Sequence, residues 1–194
     1  MQSIEIEVKF CVRDLKALEA QLKQLGFRCK TPRTFERNIL FDTPARELRA
    51  TRQILRLRRY GERWVLTHKQ TTPNDSPDAR HKERIETETA VEDGEAVASI
   101  FRVLGYTSTF VYEKWRSEWE DSEGHCVLDE TPIGLYAELE GPREWIDRML
   151  IALHVDQADV TILSYGRLFE QWQTQTGSQA QNMSFAEIQP ALAR

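Results

Sequence analysis

Charged and β-forming residues alternate along Ile4-Glu5-Ile6-Glu7-Val8-Lys9-Phe10. As a strand this segment sets Glu5, Glu7 and Lys9 on one face and Ile4, Ile6, Val8 and Phe10 on the other. The same spacing returns in Leu55-Arg56-Leu57-Arg58, Arg84-Ile85-Glu86-Thr87-Glu88, Lys114-Trp115-Arg116 and Glu138-Leu139-Glu140. Between these stretches the apolar period changes to that of a helix. Asp14 is placed to cap a helix with Leu15, Leu18, Leu22 and Leu25 on one face, ending at Gly26. A second helix is predicted from Asp93 to Leu104, with Val97, Ile100, Phe101 and Leu104 inward and Gly105 after it. A third begins at Pro142 and carries Trp145, Ile146, Met149, Leu150 and Leu153. A shorter fourth lies near Ser164 to Trp172.

These elements form an internal pseudo-repeat. A Glu-x-Glu strand leads through a helix to Leu25-Gly26-Phe27, and a second Glu-x-Glu strand leads through a helix to Leu104-Gly105-Tyr106. A looser third copy starts at Ala137-Glu138-Leu139-Glu140. In each copy an apolar helix face follows a strand whose apolar side it can cover. The result is inside-out relative to a sandwich, because the charged faces are left to point at one another. An antiparallel barrel satisfies this most simply, giving an α+β, mainly β fold with a polar charged interior and covering helices.

Enclosure changes what the charges mean. Like charges at i and i+2 are about 7 Å apart, and at an effective dielectric of about 20 they repel by on the order of 2 kcal/mol. Water screens that cost, but a covered chamber needs counter-charge from basic residues, metal ions or both. The acidic set is Glu5, Glu7, Glu86, Glu88, Asp129, Glu138 and Glu140; the basic set is Lys9, Arg56, Arg58, Lys69, Arg84, Lys114 and Arg116. Converging Arg and Lys suit several phosphoryl groups, and all-oxygen carboxylate pairs suit Mg²⁺ or Mn²⁺ rather than zinc.

Composition narrows the setting. A chain of 194 residues, 40% hydrophobic, fits one globular domain, read as residues 1–172, followed by a polar and flexible tail over 173–194. Cys11, Cys29 and Cys126 show no metal or disulfide spacing and read as reduced thiols. No basic-then-apolar leader and no stretch near the roughly 20 apolar residues of a membrane span is present. These features lead to the expectation of a cytoplasmic protein with no membrane partner. The net charge of −5 argues against nucleic acid as a partner, although 26 Lys and Arg can still build a local anion site.

At these residues the chain resembles the CYTH or triphosphate tunnel metalloenzyme family, which includes class IV adenylate cyclases, thiamine triphosphatases and inorganic triphosphatases. The likeness runs from about Ile4 to about Trp172. Glu5, Glu7 and Lys9 match its Glu-x-Glu-x-Lys signature, followed in order by ERNILFDT (36–43), LRLR (55–58), LTHK (66–69), ERIETE (83–88), EKWR (113–116) and LDETPIGLYAELEG (128–141). The resemblance implies a closed antiparallel eight-stranded barrel whose tunnel binds a triphosphate-containing small molecule and a divalent cation. It implies metal ligation by Glu5, Glu7, Glu138 and Glu140, with Asp129, Glu86 and Glu88 as supporting ligands or holders of the attacking water. It also implies phosphate binding by Lys9, Arg56, Arg58, Lys69, Arg84, Lys114 and Arg116, with Lys69 stabilising the leaving group.

The function expected on this basis is metal-dependent hydrolysis of a triphosphate. The alternatives are cyclisation of ATP to cyclic AMP and pyrophosphate, and non-catalytic binding of a nucleotide or polyphosphate. Only Met1, Gln2, Ser3 and Ile4 precede Glu5, where class IV cyclases commonly carry a His-Phe pair, and this favours hydrolysis. Leu40 stands where the family pattern often has an aromatic residue before Asp42, so the segment holding Asn38 and Asp42 gives no stacking site. His68, His81, His125 and His154 are scattered and read as solvent-facing or packing groups. Gln70 to Lys82 is polar and turn-rich, and it reads equally as a flap at a tunnel mouth or as a plain loop. Phe185, Ile188 and Leu192 could dock a short helix of the tail in a dimer or a crystal, and the chain is expected to be a monomer or homodimer.

Overall fold

The computed structural model describes residues 2–73 and 79–189. Its nine strands are β1 (Gln2–Cys11), β2 (Arg28–Asp42), β3 (Ile54–Tyr60), β4 (Arg63–Thr71), β5 (Lys82–Val91), β6 (Thr107–Glu120), β7 (His125–Thr131), β8 (Gly134–Glu140) and β9 (Val160–Thr161). Eight run antiparallel in the order β5-β4-β3-β2-β6-β7-β8-β1, and β1 then pairs with β5 to close the barrel. β5 covers β1 only from Gln2 to Glu7, and β9 takes the same edge at Lys9 and Phe10. This is the closed antiparallel barrel of eight strands that the alternating pattern and the resemblance predict.

Register carries the charge logic. Residues directly opposite each other share a face, and the pairs include Lys69 with Glu86, Glu5 with Arg84, Lys9 with Glu138, Glu36 with Lys114 and Arg116 with Asp129. Each sets opposite charges side by side inside the barrel. Glu7 opposite Glu140 is the exception.

The outward faces are apolar and covered by α1 (Leu15–Gln24), α3 (Gly94–Val103) and α4 (Arg143–Ala152), while the four-residue α2 (Glu47–Ala50) lies between β2 and β3. α1 and α4 bury Leu18, Leu22, Trp145, Ile146 and Leu150 against Val8, Phe10, Leu128 and Leu139. α3 lays Ala98, Val97 and Phe101 over Phe41 and Leu57. It approaches closely enough that a Cβ on Gly94 would stand 2.2 Å from the Trp64 ring.

The pseudo-repeat is visible at the helix ends. α1, α3 and α4 each end in a residue of positive φ, Gly26 at +88°, Gly105 at +92° and His154 at +55°. In each the next amide turns back to a carbonyl of the last turn: Phe27 N to Leu22 O, Tyr106 N to Phe101 O and Val155 N to Leu150 O, all 2.9–3.0 Å. The predicted inward faces are too wide, however. Leu25, Ile100 and Leu104 are 41%, 56% and 66% exposed. Leu25 and Leu104 are C-caps past the last full turn, and the buried stripe of α3 runs through Gly94, Ala98 and Phe101, with Ile100 on its flank.

The fourth helix, α5 (Tyr165–Thr176), is capped by Ser164, whose Oγ accepts from Arg167 N, and stops at Gly177 with φ +71°. It therefore extends through residue 172. The segment after it, read from composition as a flexible tail, packs on the barrel as far as residue 189. Met183 is fully buried; its amide donates to Val111 O, and its carbonyl accepts from Glu113 N, both at 3.0 Å. α6 (Phe185–Ile188) follows, with Ile188 in the apolar cluster around α5 and Gln189 Nε2 donating to Pro132 O. β7 pairs with β6 only from Trp115 onward, so β6 offers an edge at Val111 and Glu113 that Met183 fills. Leu192 lies outside the described residues.

The Gln70–Lys82 segment falls partly outside them, at 74–78. Its described end is tied down: His81 Nε2 lies 2.9 Å from Asp147 Oδ1, and Glu83 pairs with Arg143, both partners standing on α4.

Candidate active site

The barrel encloses a cavity of about 430 Å³. Alternate residues of β1, β3, β4, β5, β6 and β8 reach it because a strand turns every second side chain inward. Of the acidic residues predicted from sequence, Glu5, Glu7, Glu86, Glu88, Glu138 and Glu140 line it. Of the basic ones, Lys9, Arg56, Arg58, Lys69, Lys114 and Arg116 do so. Two stand apart from the wall. Arg84 shares the inward register, but its guanidinium turns to the Glu83 carbonyl at 3.0 Å. Asp129 is fully buried beneath the wall, where it accepts from Arg116 Nε and an Arg116 terminal nitrogen at 2.7 and 2.6 Å, Lys114 Nζ at 3.1 Å and Tyr165 Oη at 2.5 Å.

The cavity has two chemically different parts. In one, carboxylates crowd. Lys69 Nζ lies 2.5 and 2.7 Å from the two oxygens of Glu5 and 3.3 Å from Glu86. Lys82 pairs with Glu7. Burial, then the nearby Glu5 and Glu7 charges, push the Glu140 carboxyl up to about 8. Burial and the Glu7 charge also raise Glu5, against the pull of Lys69. Glu7 goes the other way, to about 2: burial opposes its ionisation, but Lys82, Lys9 and Lys69 together outweigh it. Repulsion is thus concentrated on Glu140, which has Glu5, Glu7 and Glu86 as neighbours in charge.

In the other part every charge is matched. Glu138 pairs with Lys9 and with Arg116 at 2.9 Å; burial opposes its ionisation, but those cations hold it well below the usual carboxylate range. Glu36 is fully buried with Lys114 at 3.4 Å and Arg58 at 3.8 Å, and Lys114, Arg116 and Arg58 together lower its pKa despite burial. Arg56 donates to Tyr112 Oη at 3.3 Å and Thr67 Oγ1 at 3.2 Å, and Arg58 reaches Glu88 at 3.3 Å. Tyr165, the first residue of α5, closes this part, with Lys9 and Lys114 ammonium groups 4.3 and 4.6 Å from its ring centroid.

Among the described residues, no three His, Cys, Asp or Glu side chains converge as a ready-made metal shell. The donor chemistry nevertheless fits a hard divalent cation. Glu5, Glu7 and Glu140 offer carboxylate oxygens in one cavity, and the raised Glu140 marks a surplus of negative charge there that a cation would relieve. Two of these carboxylates, Glu5 and Glu7, are paired with Lys69 and Lys82.

Several site residues escape the sequence reading. Lys82 continues the every-second-residue series of Arg84, Glu86 and Glu88 by one step and was legible there. Glu36 and Asn38 stand in the family-like segment 36–43, and Asn38 Nδ2 donates to Glu36 at 2.8 Å deep in the barrel. Asp42 is structural, accepting from Leu48 N and Arg49 N at the start of α2. Tyr112 precedes Lys114 and Arg116 by one step of the same alternation and was legible there, whereas Tyr165 had no signal, since its place depends on α5 folding over the barrel. Of the histidines, His125 lines the cavity, while His68 bonds Gln53 at 2.8 Å outside it.

A closed antiparallel barrel with opposed charges around its bore defines a small class of tunnel-bearing proteins. The family model for the CYTH domain matches residues 3–149, and the chain belongs to that family. It is 30% identical over 138 residues to a Methanocaldococcus jannaschii protein whose name assigns it provisionally to the adenylate cyclases, covering 71% of this chain and 76% of that one. A Vibrio parahaemolyticus structure with a similar provisional name superposes with TM-score 0.73 at 21% identity, covering 87% of this chain and 98% of that one. A Hippeastrum protein, provisionally an adenylyl cyclase and described as having a dominant triphosphatase activity, superposes with TM-score 0.63 at 20% identity, covering 88% and 96%. At those identities the two structures establish the shared fold.

Proposed function

We propose that this chain is a divalent-metal-dependent enzyme that hydrolyses a triphosphate held in the barrel. The observation that carries the reading is the division of one 430 Å³ cavity into a carboxylate cluster short of positive charge and a wall of lysine and arginine. A binding protein for polyphosphate needs only the second part, and the carboxylates would weaken it. Glu5, Glu7 and Glu140, with Glu138, are the proposed ligands of Mg²⁺ or Mn²⁺; Glu86 and Glu88 support them and orient water. Bound there, such a cation would neutralise phosphate charge and lower the pKa of a bound water.

The protein groups do the positioning. Lys9, Arg56, Arg58, Lys114 and Arg116 present donors to the phosphoryl oxygens, which makes catalysis chiefly a matter of alignment and charge stabilisation. Lys69, between Glu5 and Glu86, is held protonated by them against the effect of burial, so it can stabilise a leaving phosphate. Asp129 serves this reading as a buried anchor for Arg116 and Lys114. Arg84 stands across from Glu5 in the β1–β5 register, and its part in phosphate binding requires its guanidinium to leave the Glu83 carbonyl.

Cyclisation of ATP is the second reading, favoured by the names of the Methanocaldococcus jannaschii and Vibrio parahaemolyticus proteins. It requires an adenine seat, and the two tyrosine rings on the wall are engaged, Tyr112 between Phe110 and Tyr165, and Tyr165 under two ammonium groups. The Hippeastrum protein's triphosphatase activity supports hydrolysis. Chromatographic product analysis with Mg²⁺ and Mn²⁺ tests the order. Orthophosphate should form from tripolyphosphate faster than cyclic AMP from ATP, and Glu7→Gln should abolish it with the fold intact by circular dichroism. Dominant cyclic AMP and pyrophosphate would reverse the two readings.

A further inference from the structure

α5 brings one aromatic side chain into the cavity, and that side chain has no counterpart in the strand motifs. Tyr165 is 6% exposed and lines the cavity from the first position of α5. One ring edge meets Tyr136, with centroids 5.8 Å apart and planes at 83°, and Tyr112 stacks on it at 5.9 Å. Phe110, Phe169 and Trp172 continue the stack outward, so the ring is backed by a packed aromatic column rather than by solvent. Two buried ammonium groups, Lys9 and Lys114, approach this one ring, and its hydroxyl donates to Asp129.

Their anchoring matters for an anion site. Lysine carries a flexible four-carbon stem, and its ammonium group must be confined to act as a fixed donor. Lys9 is drawn toward Glu138, and Lys114 toward Glu36 and Asp129. Carboxylates alone would pull both ammonium groups down into the wall. A ring quadrupole attracts a cation without claiming its N–H donors, leaving them free to turn to an incoming phosphoryl oxygen.

We propose that Tyr165 is the positioning residue of a terminal phosphoryl subsite: its ring seats Lys9 and Lys114 together on the α5 side of the cavity, where they receive the phosphoryl group that lies away from Glu5, Glu7 and Glu140. The proposal rests on the triphosphate reading and adds to it a polarity for the bound chain. It also gives α5 a role beyond covering the barrel.

The test compares Tyr165→Leu with Tyr165→Phe, which keeps the ring and removes only the hydroxyl. In calorimetry with Mn²⁺, the wild type should bind tripolyphosphate more tightly than pyrophosphate, which is too short to span both parts of the cavity. Tyr165→Leu should lose about tenfold in tripolyphosphate affinity with little change for pyrophosphate, and Tyr165→Phe should restore it. A general packing defect would weaken both ligands alike, and that outcome overturns the proposal, as does a Leu variant that keeps the tripolyphosphate advantage or a Phe variant that fails to restore it. A second readout needs no ligand. In the free protein the ε-methylene protons of Lys9 and Lys114 should show upfield ring-current shifts that persist in the Phe variant and vanish in the Leu variant; normal shifts in the wild type would sink the seating. If tripolyphosphate fails to bind the wild type while those shifts are present, the triphosphate reading and its subsite fall, and only the lysine seat stands.

Discussion

The two parts of the cavity are built from the same residue types by the same strand alternation, yet they differ in balance. Around Asp129 each charge has two partners of opposite sign, Arg116 and Lys114 for Asp129, Asp129 and Glu138 for Arg116, and Asp129 and Glu36 for Lys114, at 2.6–3.4 Å. Around Glu140 the register sets Glu7 opposite a like charge, and Glu5 and Glu86 add to it. The first arrangement holds arginine and lysine donors in place before any ligand arrives. The second stores repulsion that only a proton or a cation can remove. A barrel kept for stability alone would not need either, because well-packed apolar side chains replace buried ion pairs without loss. The contrast therefore reads as a division of labour between gripping an anion and waiting for a metal.

The largest expected effect comes from breaking the balanced part. Asp129→Asn leaves Arg116 and Lys114 buried with a lost counter-charge, and such a removal costs about 3–5 kcal/mol. Equilibrium denaturation should detect it. Glu140→Gln, in the crowded part, should cost nothing or raise the melting temperature of the metal-free protein, as expected where function is held against stability. Equal losses in both variants would erase the distinction between the two parts.

Stability against pH sharpens the same comparison. Glu140 has a folded pKa of about 8 against an ordinary 4.5, so the native state binds more protons between those values, and stability falls as pH rises through that window. Glu7, depressed to about 2, contributes in the opposite sense: its share is present above its ordinary 4.5 and is lost only as pH falls toward 2. Metal-free melting temperatures should therefore decline from about pH 5 to pH 8, and either Glu140→Gln or added Mn²⁺ should flatten the decline.

The smallest effect lies outside the cavity. His154 occupies the left-handed position that glycine fills in the other two repeats, at φ +55°. His154→Gly should stabilise the protein by about 0.5–1 kcal/mol, read as a small rise in denaturation midpoint. Gly26→His at the equivalent position should lower it.

Much of this was legible because a strand has a period of two. Glu5, Glu7, Lys9, Arg56, Arg58, Glu138 and Glu140 all reach the cavity from alternation alone, and the helices between them follow from caps and glycines. Alternation says which face a residue takes, but not how deep it lies. Asp129 shares that face and is buried behind the wall, and Arg84 shares it with its guanidinium turned away to the Glu83 carbonyl. Helical periodicity failed at its margins, since Leu104 is the C-cap beyond the last full turn and Ile100 lies on the flank of the buried stripe through Gly94, Ala98 and Phe101. Tyr165 and Met183 depend on where α5 and the chain after it return to the barrel, which no local pattern encodes. Within the stretch 173–194 read as a polar tail, composition does not reveal that Met183 and Ile188 pack on the barrel.

The central claim is that the carboxylate cluster exists to receive a divalent cation and the basic wall to receive a phosphate chain. Calorimetric titration of the protein with tripolyphosphate, in EDTA and then in Mg²⁺ or Mn²⁺, tests it most directly. The account predicts weak binding without metal, because the ligand adds negative charge to a site already crowded with it, and a marked gain in affinity once metal is supplied. Tight binding in EDTA that metal does not improve would contradict it.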